Sequence, residues 1–375
     1  MELEASLEWL SLTMTPGLGS RLTGKLLREF GSPQGIFRAS LTELEACRLR
    51  PAPARAIHSR SAHKDAEAEL EHVRKLGCQL VNWDEPQYPQ RLLEIYDPPP
   101  LLYVRGDISV LGRHCISMVG TRRPTPYGNQ VAERLGRDLA ERGLVIVSGM
   151  ARGIDSSAHH GACQASRGAT IGVLGTGVDV IYPKENRKLF GEVERRGALI
   201  SEFPLGSHPA PENFPVRNRV VAGISLGVIV VQGAQYSGSL ITARLGMEFG
   251  REVYGVPGNI TVDISFAPNQ LIKQGAKLVT SWEDVVEELP TEIRAELFPV
   301  EATTREERAS LFTEALSATH QRFFGLLNMD ESVHVDELVE KSELTSSEVL
   351  AALCEMEMKG IVRQMPGKQF VKVLL

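Results

Sequence analysis

No apolar run in the 375-residue chain approaches the roughly 18 residues that a membrane span requires; the longest are of the size of Val228–Val231. The N-terminus begins with acidic Glu2 and Glu4 rather than with a basic stretch followed by a greasy one, so no secretory leader is read there and a cytoplasmic location is expected. Cysteine is scarce: Cys47, Cys78, Cys115, Cys163 and Cys354 are odd in number, widely spaced and without a CxxC pair, which argues against a disulfide scaffold and for reduced, mostly buried thiols. The 34 glycines and 21 prolines follow no repeat, and hydrophobic residues reach 42%, so collagen-like and wholly disordered chains are excluded. Positive charge is in deficit overall, with a net −6, which on its face speaks against a nucleic-acid partner.

The overall balance hides an uneven distribution. Residues 1–112 sum to −2, residues 113–280 to +6 and residues 281–375 to −10. Clustered charge, rather than the total, is what steers an anion. The first segment has apolar residues at helical spacing (Leu7, Trp9, Leu10, Leu12; then Leu22, Leu26, Leu27, Phe30), with a second helical pair expected between Leu41 and Leu76. Thr15-Pro16-Gly17-Leu18-Gly19 between the first two helices suits either a phosphate-holding helix-hairpin-helix turn or a merely tight interhelical turn. A helical module over 1–97 is therefore expected, then a Rossmann-like domain over 98–290, a linker over 291–315 and a last module over 316–375. In that last module Phe323–Leu327 ends one helix, Val335–Lys341 suggests a second, and Thr345 with Glu348 opens a third that runs to Lys359. Ile361–Arg363 and Gln369–Val373 then read as a hairpin. Three helices and a hairpin make a winged helix.

From Cys115 short apolar strands alternate with amphipathic helices. Strands are expected at Ile116–Val119, Leu144–Val147, Thr170–Leu174, Ala198–Ser201, Gly227–Val231 and Glu252–Val256, with helices at Gln130–Glu141, Asp155–Ala165 and Leu240–Phe249. The fold class is α/β: a Rossmann-like, largely parallel sheet with helices on both faces. Ligands of such sheets gather beyond the carboxyl ends of the strands. Glycine-bearing loops follow there, at Gly120-Thr121-Arg122-Arg123, Ser148-Gly149-Met150-Ala151-Arg152, Gly175-Thr176-Gly177 with Tyr182-Pro183-Lys184, Ser237-Gly238-Ser239, and Pro257-Gly258. Backbone approaches an anion closely at glycine, and a helix N-terminus adds free N–H groups, so the edge is suited to phosphate.

A dinucleotide cofactor does not fit: GxGxxG is absent, and no Asp or Glu ends the second strand to take a ribose hydroxyl. The Gly-Lys-Ser/Thr of a P-loop, the HExxH of a metalloprotease and a nucleophile elbow are absent as well, so no catalytic residue, cofactor or metal site is assigned. Asp155 and His159 share a helical face, which is read as helix packing with an acidic residue complementing the dipole. Asn213-Phe214-Pro215-Val216-Arg217-Asn218-Arg219 interleaves cations with an aromatic, as single-strand binding requires, yet it equally suits a core phenylalanine and two structural ion pairs.

Taken in order, Val119–Arg122, Ser148–Asp155 with His159, Gly175–Asp179 with Tyr182–Lys184, Ser201–Pro204, Phe214–Arg219, Ser237–Ala243 and Val256–Gly258 resemble the DNA-processing protein A (DprA/Smf) family. The resemblance covers about residues 115–280, and the flanking modules match that family's layout less specifically. It implies a non-catalytic protein that binds single-stranded DNA, forms a homodimer through its Rossmann-like domain, and loads RecA past single-strand binding protein in natural transformation. Carried onto this chain, it puts phosphate grips at Arg122 and Lys184 and a base contact at Phe214. Gly120, Thr121, Arg123, Gly149, Arg152, Arg217, Asn218, Arg219, Ser237, Gly238, Ser239 and Thr242 complete the expected DNA site. Pro211 stands where some relatives carry a basic residue. The last module has Glu348, Glu355 and Glu357 on its presumed recognition helix, a pattern that favours protein contacts or regulation over duplex reading. The competing class is a phosphoribohydrolase-like enzyme on the same type of sheet; its Pro-Gly-Gly-x-Gly-Thr turn and following Glu are missing here.

Overall fold

The structure, a computed structural model, describes residues 3–298 and, beyond them, 326–327, 333–342, 344–358, 362–365 and 367–372. Two compact units result, Met1–Phe298 and Pro299–Leu375. The first holds a nine-stranded sheet of β1 (Gln79–Asn82), β2 (Leu101–Gly106), β3 (Cys115–Val119), β4 (Val145–Ser148), β5 (Ala169–Val173), β6 (Ala198–Ser201), β7 (Gly227–Val230), β8 (Glu252–Gly255) and β9 (Lys277–Leu278), in the order β1-β2-β6-β5-β4-β3-β7-β8-β9. β3 to β9 are parallel, while β1 and β2 close one edge antiparallel. From β3 the chain builds outward through β4, β5 and β6, then returns to lay β7 against the other side of β3. That reversal is the switch point at which open α/β sheets form a crevice.

Strands buried on both faces explain the continuous apolar runs. Ile116 and Met118 of β3 and Ile146 of β4 face one layer, packing with Ala132, Leu135 and Leu139 of the helix Pro126–Glu141 and Ala158 and Ala162 of the helix Ile154–Gln164. Val119, Val145 and Val147 face the other, against Val220 and Val221 of the helix Asn213–Gly223 and Leu240 and Ala243 of the helix Gly238–Glu248. The first of these helices starts four residues before the expected Gln130, because the Thr125 hydroxyl caps it by accepting the Gly128 N–H and Pro126 occupies its first turn.

The N-terminal residues form six helices, Leu3–Thr13, Ser20–Phe30, Pro33–Arg38, Leu41–Ala46, Pro51–His58 and His63–Leu76. Three occupy the span where a pair was expected: the Ser40/Glu43 capping box starts one, and Pro51 restarts the chain for the next. In the turn after the first helix Gly17 takes φ +78 and would press a Cβ to 3.0 Å from Pro53 Cγ, while the Leu18 N–H is spent on Thr15 O at 3.1 Å. The tight-turn reading accounts for that glycine. The helices do not end in a separate core: Trp9, Leu26, Ile36 and Ile57 are continuous with Leu80, Leu101, Tyr103, Leu189 and Phe190. Strand β1, ahead of the boundary expected at residue 97, is already part of the sheet.

In the second unit β10 (Val333–His334), β11 (Val362–Met365) and β12 (Gln369–Lys372) pair in the order β10-β12-β11 beside the helices Val335–Ser342 and Ser346–Met358. Leu338, Val349, Leu353, Met356, Val362 and Phe370 form its core, a winged-helix arrangement. The Thr345–Glu348 capping box is present, with the Thr345 hydroxyl donating to Glu348 at 2.7 Å. Residues 321–325, most of the helix expected to end at Leu327, and Lys359, Ile361 and Val373 lie outside the described residues, as does the linker expected over 291–315 from residue 299 on; its first residues instead form the helix Thr291–Leu297, whose Ile293 is buried in the core of the first unit. Among the described residues no helix is long and apolar enough to cross a membrane.

Candidate nucleic-acid interface

At the β3/β7 switch point lies a pocket of about 780 Å³. Its two sides are tied together: the Thr121 N–H donates to Gln232 O at 2.7 Å, and the Gln232 side chain accepts the Thr125 N–H at 3.0 Å. One wall is the loop after β3, bearing exposed Arg122 and Arg123. The opposite wall is the start of the helix Gly238–Glu248. Ser237 sits at its N-cap without a side-chain capping bond, since the Ser237 and Ser239 hydroxyls bond each other at 2.7 Å. The Leu240 N–H turns back to Ser237 O at 3.1 Å, which leaves the Gly238 and Ser239 N–H groups for an external acceptor, with the positive end of the helix behind them.

The floor is Arg217, only 6% exposed. Its Nη1 donates to Val173 O at 2.9 Å, and its Nε has no partner among the described residues. Burial works against its charge, opposed by nearby Asp155. Asp155 is itself buried, which raises its carboxyl above the usual range against the pull of Arg217 and of the Gly149 and Ala151 N–H groups, which donate to it at 3.1 and 3.4 Å. A guanidinium held rigidly in the floor, its Nε buried and unpaired, sets a fixed positive charge beneath any anionic oxygen that enters the pocket. The aromatic edge adds a second chemistry. The Arg122 guanidinium stands 5.6 Å from the Phe214 ring centre, and Tyr182 tilts against Phe214 at 5.7 Å. A narrow annex lined by Arg152, Gly175, Thr176 and Pro183 shares Arg122, Gly149, Tyr182 and Phe214 with the main pocket.

A family model described as DNA recombination-mediator protein A matches residues 79–290, more than half of the chain. The chain belongs to the DprA/Smf family. A second model, the DprA winged helix domain, matches residues 307–368. DNA processing protein DprA of Bacillus subtilis (strain 168) is 45% identical over 222 residues, covering 59% of this chain and 74% of that protein. The X-ray structure of DNA processing protein A from Streptococcus pneumoniae superposes with a TM-score of 0.69 at 34% identity, covering 76% of this chain and 98% of that one. The Helicobacter pylori protein, whose structure is described as giving insight into a unique single-stranded DNA binding mode, superposes at 0.51 with 32% identity, covering 56% of this chain and 94% of that one. The first family match opens at β1, so family and sheet begin together.

Of the residues expected at the DprA/Smf site, Gly120, Thr121, Arg122, Arg123, Gly149, Phe214, Arg217, Asn218, Ser237, Gly238, Ser239 and Thr242 line the one pocket. Arg152 lines the annex and is ion-paired to Glu185. Lys184 is exposed on the same rim, next to Pro183 of the annex. Arg219 is elsewhere. It is 5% exposed, lies 3.3 Å from Asp97, contacts Glu202 and donates to the Ser20 hydroxyl at 3.2 Å, so it clamps the N-terminal helices to the sheet. Two positions from Arg217 on a helix is about 200°, which sends the two arginines to opposite sides. The segment 213–219 thus divides: Arg219 makes the structural ion pairs, Arg217 lines the pocket, and Phe214 is half-buried at the pocket edge rather than in the core. Tyr182, Asp155 and Ile241 were not among the expected site residues yet line the pocket; Tyr182 was legible as the aromatic ahead of Pro183-Lys184, the other two were not. Asp155 and His159 are engaged separately: the His159 Nδ1 meets the Thr170 hydroxyl at 2.7 Å, and burial holds that imidazole down to about 3 and neutral.

Proposed function

We propose that this protein binds single-stranded DNA in the switch-point pocket and acts in the cytoplasm as a recombination mediator without catalysis, loading RecA onto strands covered by single-strand binding protein during natural transformation. The observation that carries the reading is the juxtaposition of Arg122, Arg217 and an uncapped helix N-terminus with the accessible Tyr182–Phe214 edge. Cations and N–H groups meet the phosphates while the rings meet an unpaired base. A duplex keeps its bases stacked inside and offers nothing to such an edge. Membership of the family and the single-stranded DNA binding mode described for the Helicobacter pylori relative point the same way.

The absence of a step on the bound ligand is supported by the acid of the pocket: Asp155 is the acid lining it, its Oδ2 accepts two backbone N–H groups, and the carboxylate is buried near the positive Arg217. The phosphoribohydrolase-like alternative needs a free carboxylate at the sugar. A gel-shift comparison of single-stranded and duplex DNA at two salt concentrations tests the reading: single-strand preference with a steep salt response is expected, whereas a flat response, or release of base from a nucleoside monophosphate by the purified protein, replaces it with the enzyme. RecA loading is read by RecA ATPase on strands pre-coated with single-strand binding protein, and the homodimer by sedimentation velocity. The acidic winged helix, with Glu348, Glu355 and Glu357 exposed, is assigned to protein contacts.

A further inference from the structure

The pocket accounts for Arg122, Arg123 and Arg217 but leaves a second set of cations that have no carboxylate partner among the described residues; of these, Arg196 donates to Ser166 O at 3.3 Å. The helix Arg187–Arg196 begins three residues after Lys184, and Leu189, Phe190 and Val193 bury its inner face. Its outer face carries exposed Arg187, Lys188, Arg195 and Arg196, with Lys188 and Arg195 two turns apart in register. Of the acids on this helix, Glu194 is taken by Arg105 at 2.9 and 3.0 Å, and Glu192 lies 3.6 Å from His160, with which it pairs when that imidazole is protonated. Among the described residues no carboxylate lies within ion-pair distance of Lys184, Arg187, Lys188, Arg195 or Arg196, whereas Arg105, Arg152, Arg219, Arg251 and Lys277 in the same unit are each paired. At its far end the helix forms one side of a groove of about 610 Å³, lined by His160, Cys163, Gln164, Glu192, Arg195 and Arg196.

We infer that the strand held in the pocket does not stop there but leaves over Tyr182–Lys184 and follows the outer face of Arg187–Arg196 into this groove. This rests on the single-strand reading above. The cations are continuous with the rim, because Tyr182 and Pro183 line the annex and Lys184 is the next residue. A rise of about 1.5 Å per residue spreads the helix over about 14 Å between Arg187 and Arg196, enough for on the order of three further phosphates. Mutual repulsion among four unpaired cations is a cost that a polyanion removes. The track is a backbone contact without a ring, so it extends the binding site without adding sequence preference.

The test is a length series. Anisotropy is measured with thymidine oligomers of about 6 and about 20 nucleotides on the wild-type protein, on Arg187→Gln/Lys188→Gln/Arg195→Gln, and on Arg122→Ala. The triple variant should bind the short oligomer as the wild type does and lose most of the affinity that added length brings. With three contacts removed at about 0.7 each, a roughly fourfold rise in salt should weaken the wild type on the long oligomer about 18-fold more than the variant. Arg122→Ala should weaken both lengths. Unchanged long-oligomer affinity and salt slope in the triple variant overturn the track while leaving the pocket standing. A wild type that binds neither length overturns both, and a triple variant that loses duplex binding instead assigns the helix to a duplex and overturns the inference. A thermal melt of the triple variant guards against misfolding, and a charge-reversed Lys188→Glu/Arg195→Glu protein must show a larger loss in the same direction.

Discussion

Replacing Gly149 by alanine puts a methyl carbon 1.6 Å from Arg217 Nη1 and 2.3 Å from its Cζ. In an exposed arginine the side chain would swing aside at little cost. Here it is penned: Nη1 donates to Val173 O at 2.9 Å, Asp155 faces it, and the residue is 6% exposed. Moving the guanidinium abandons a hydrogen bond from a charged donor, about 1.5–3 kcal/mol, and leaves the buried Asp155 with less compensation, so a total of about 2–4 kcal/mol is expected. Urea unfolding followed by circular dichroism reads the stability, and anisotropy with a short oligonucleotide reads the loss of the Arg217 contact. The companion measurement is Arg217→Met with and without Gly149→Ala. If the methyl acts by displacing the guanidinium, the double variant loses much less than the two single losses added together. A Gly149→Ala protein within about 0.5 kcal/mol of wild type, binding DNA normally, would show that Arg217 is free to relocate and that the pocket floor is not rigid.

The remaining expectations separate the two jobs of arginine in this region from the job of the rings. Arg219→Ala strands Asp97 and Glu202 and should cost about 3–5 kcal/mol in urea unfolding, while the salt slope of DNA binding stays as it was; a changed slope with normal stability would return Arg219 to the ligand. Arg122→Ala and Lys184→Ala should each lower the slope of log affinity against log salt by about 0.7, and a slope that does not move removes that residue from the phosphate contacts. Phe214→Ala should weaken single-strand binding by about 1–3 kcal/mol with an almost unchanged slope, and unaltered affinity would make Phe214 a packing residue. Burial pushes Glu202 up to about 6 against the opposing pull of Arg219. The native state therefore holds a proton that the unfolded chain releases nearer 4.5, and this contribution to stability is present below about 4.5 and lost as pH rises through about 6. Relative to Glu202→Gln, the wild type should gain on the order of 2 kcal/mol between pH 7 and pH 4.5, and two parallel stability curves would contradict the raised value.

Much of the sheet was legible because parallel strands buried on both faces must be apolar throughout: Ala198–Ser201 was found residue for residue, and the other expected strands of the parallel sheet to within two residues at each end. The edge strand β1 was not, since Gln79–Asn82 follows a helix directly and is too short to show a period. Helix starts shifted where a cap decided them, as at Thr125. The pocket was legible as loop chemistry, small residues and arginines after successive strands, because every βα loop of such a sheet emerges at one edge.

What the order of residues determined by itself is thus the α/β class, the glycine-and-arginine loops and the family they resemble, all of them local or periodic signals. Only the tertiary structure decided which cations meet and which are spent. Arg217 and Arg219 are indistinguishable as letters, but helical geometry points one into the pocket and the other into Asp97 and Glu202, acids more than a hundred positions apart from each other. The partner of a charge is set by three-dimensional proximity, which a linear pattern does not record.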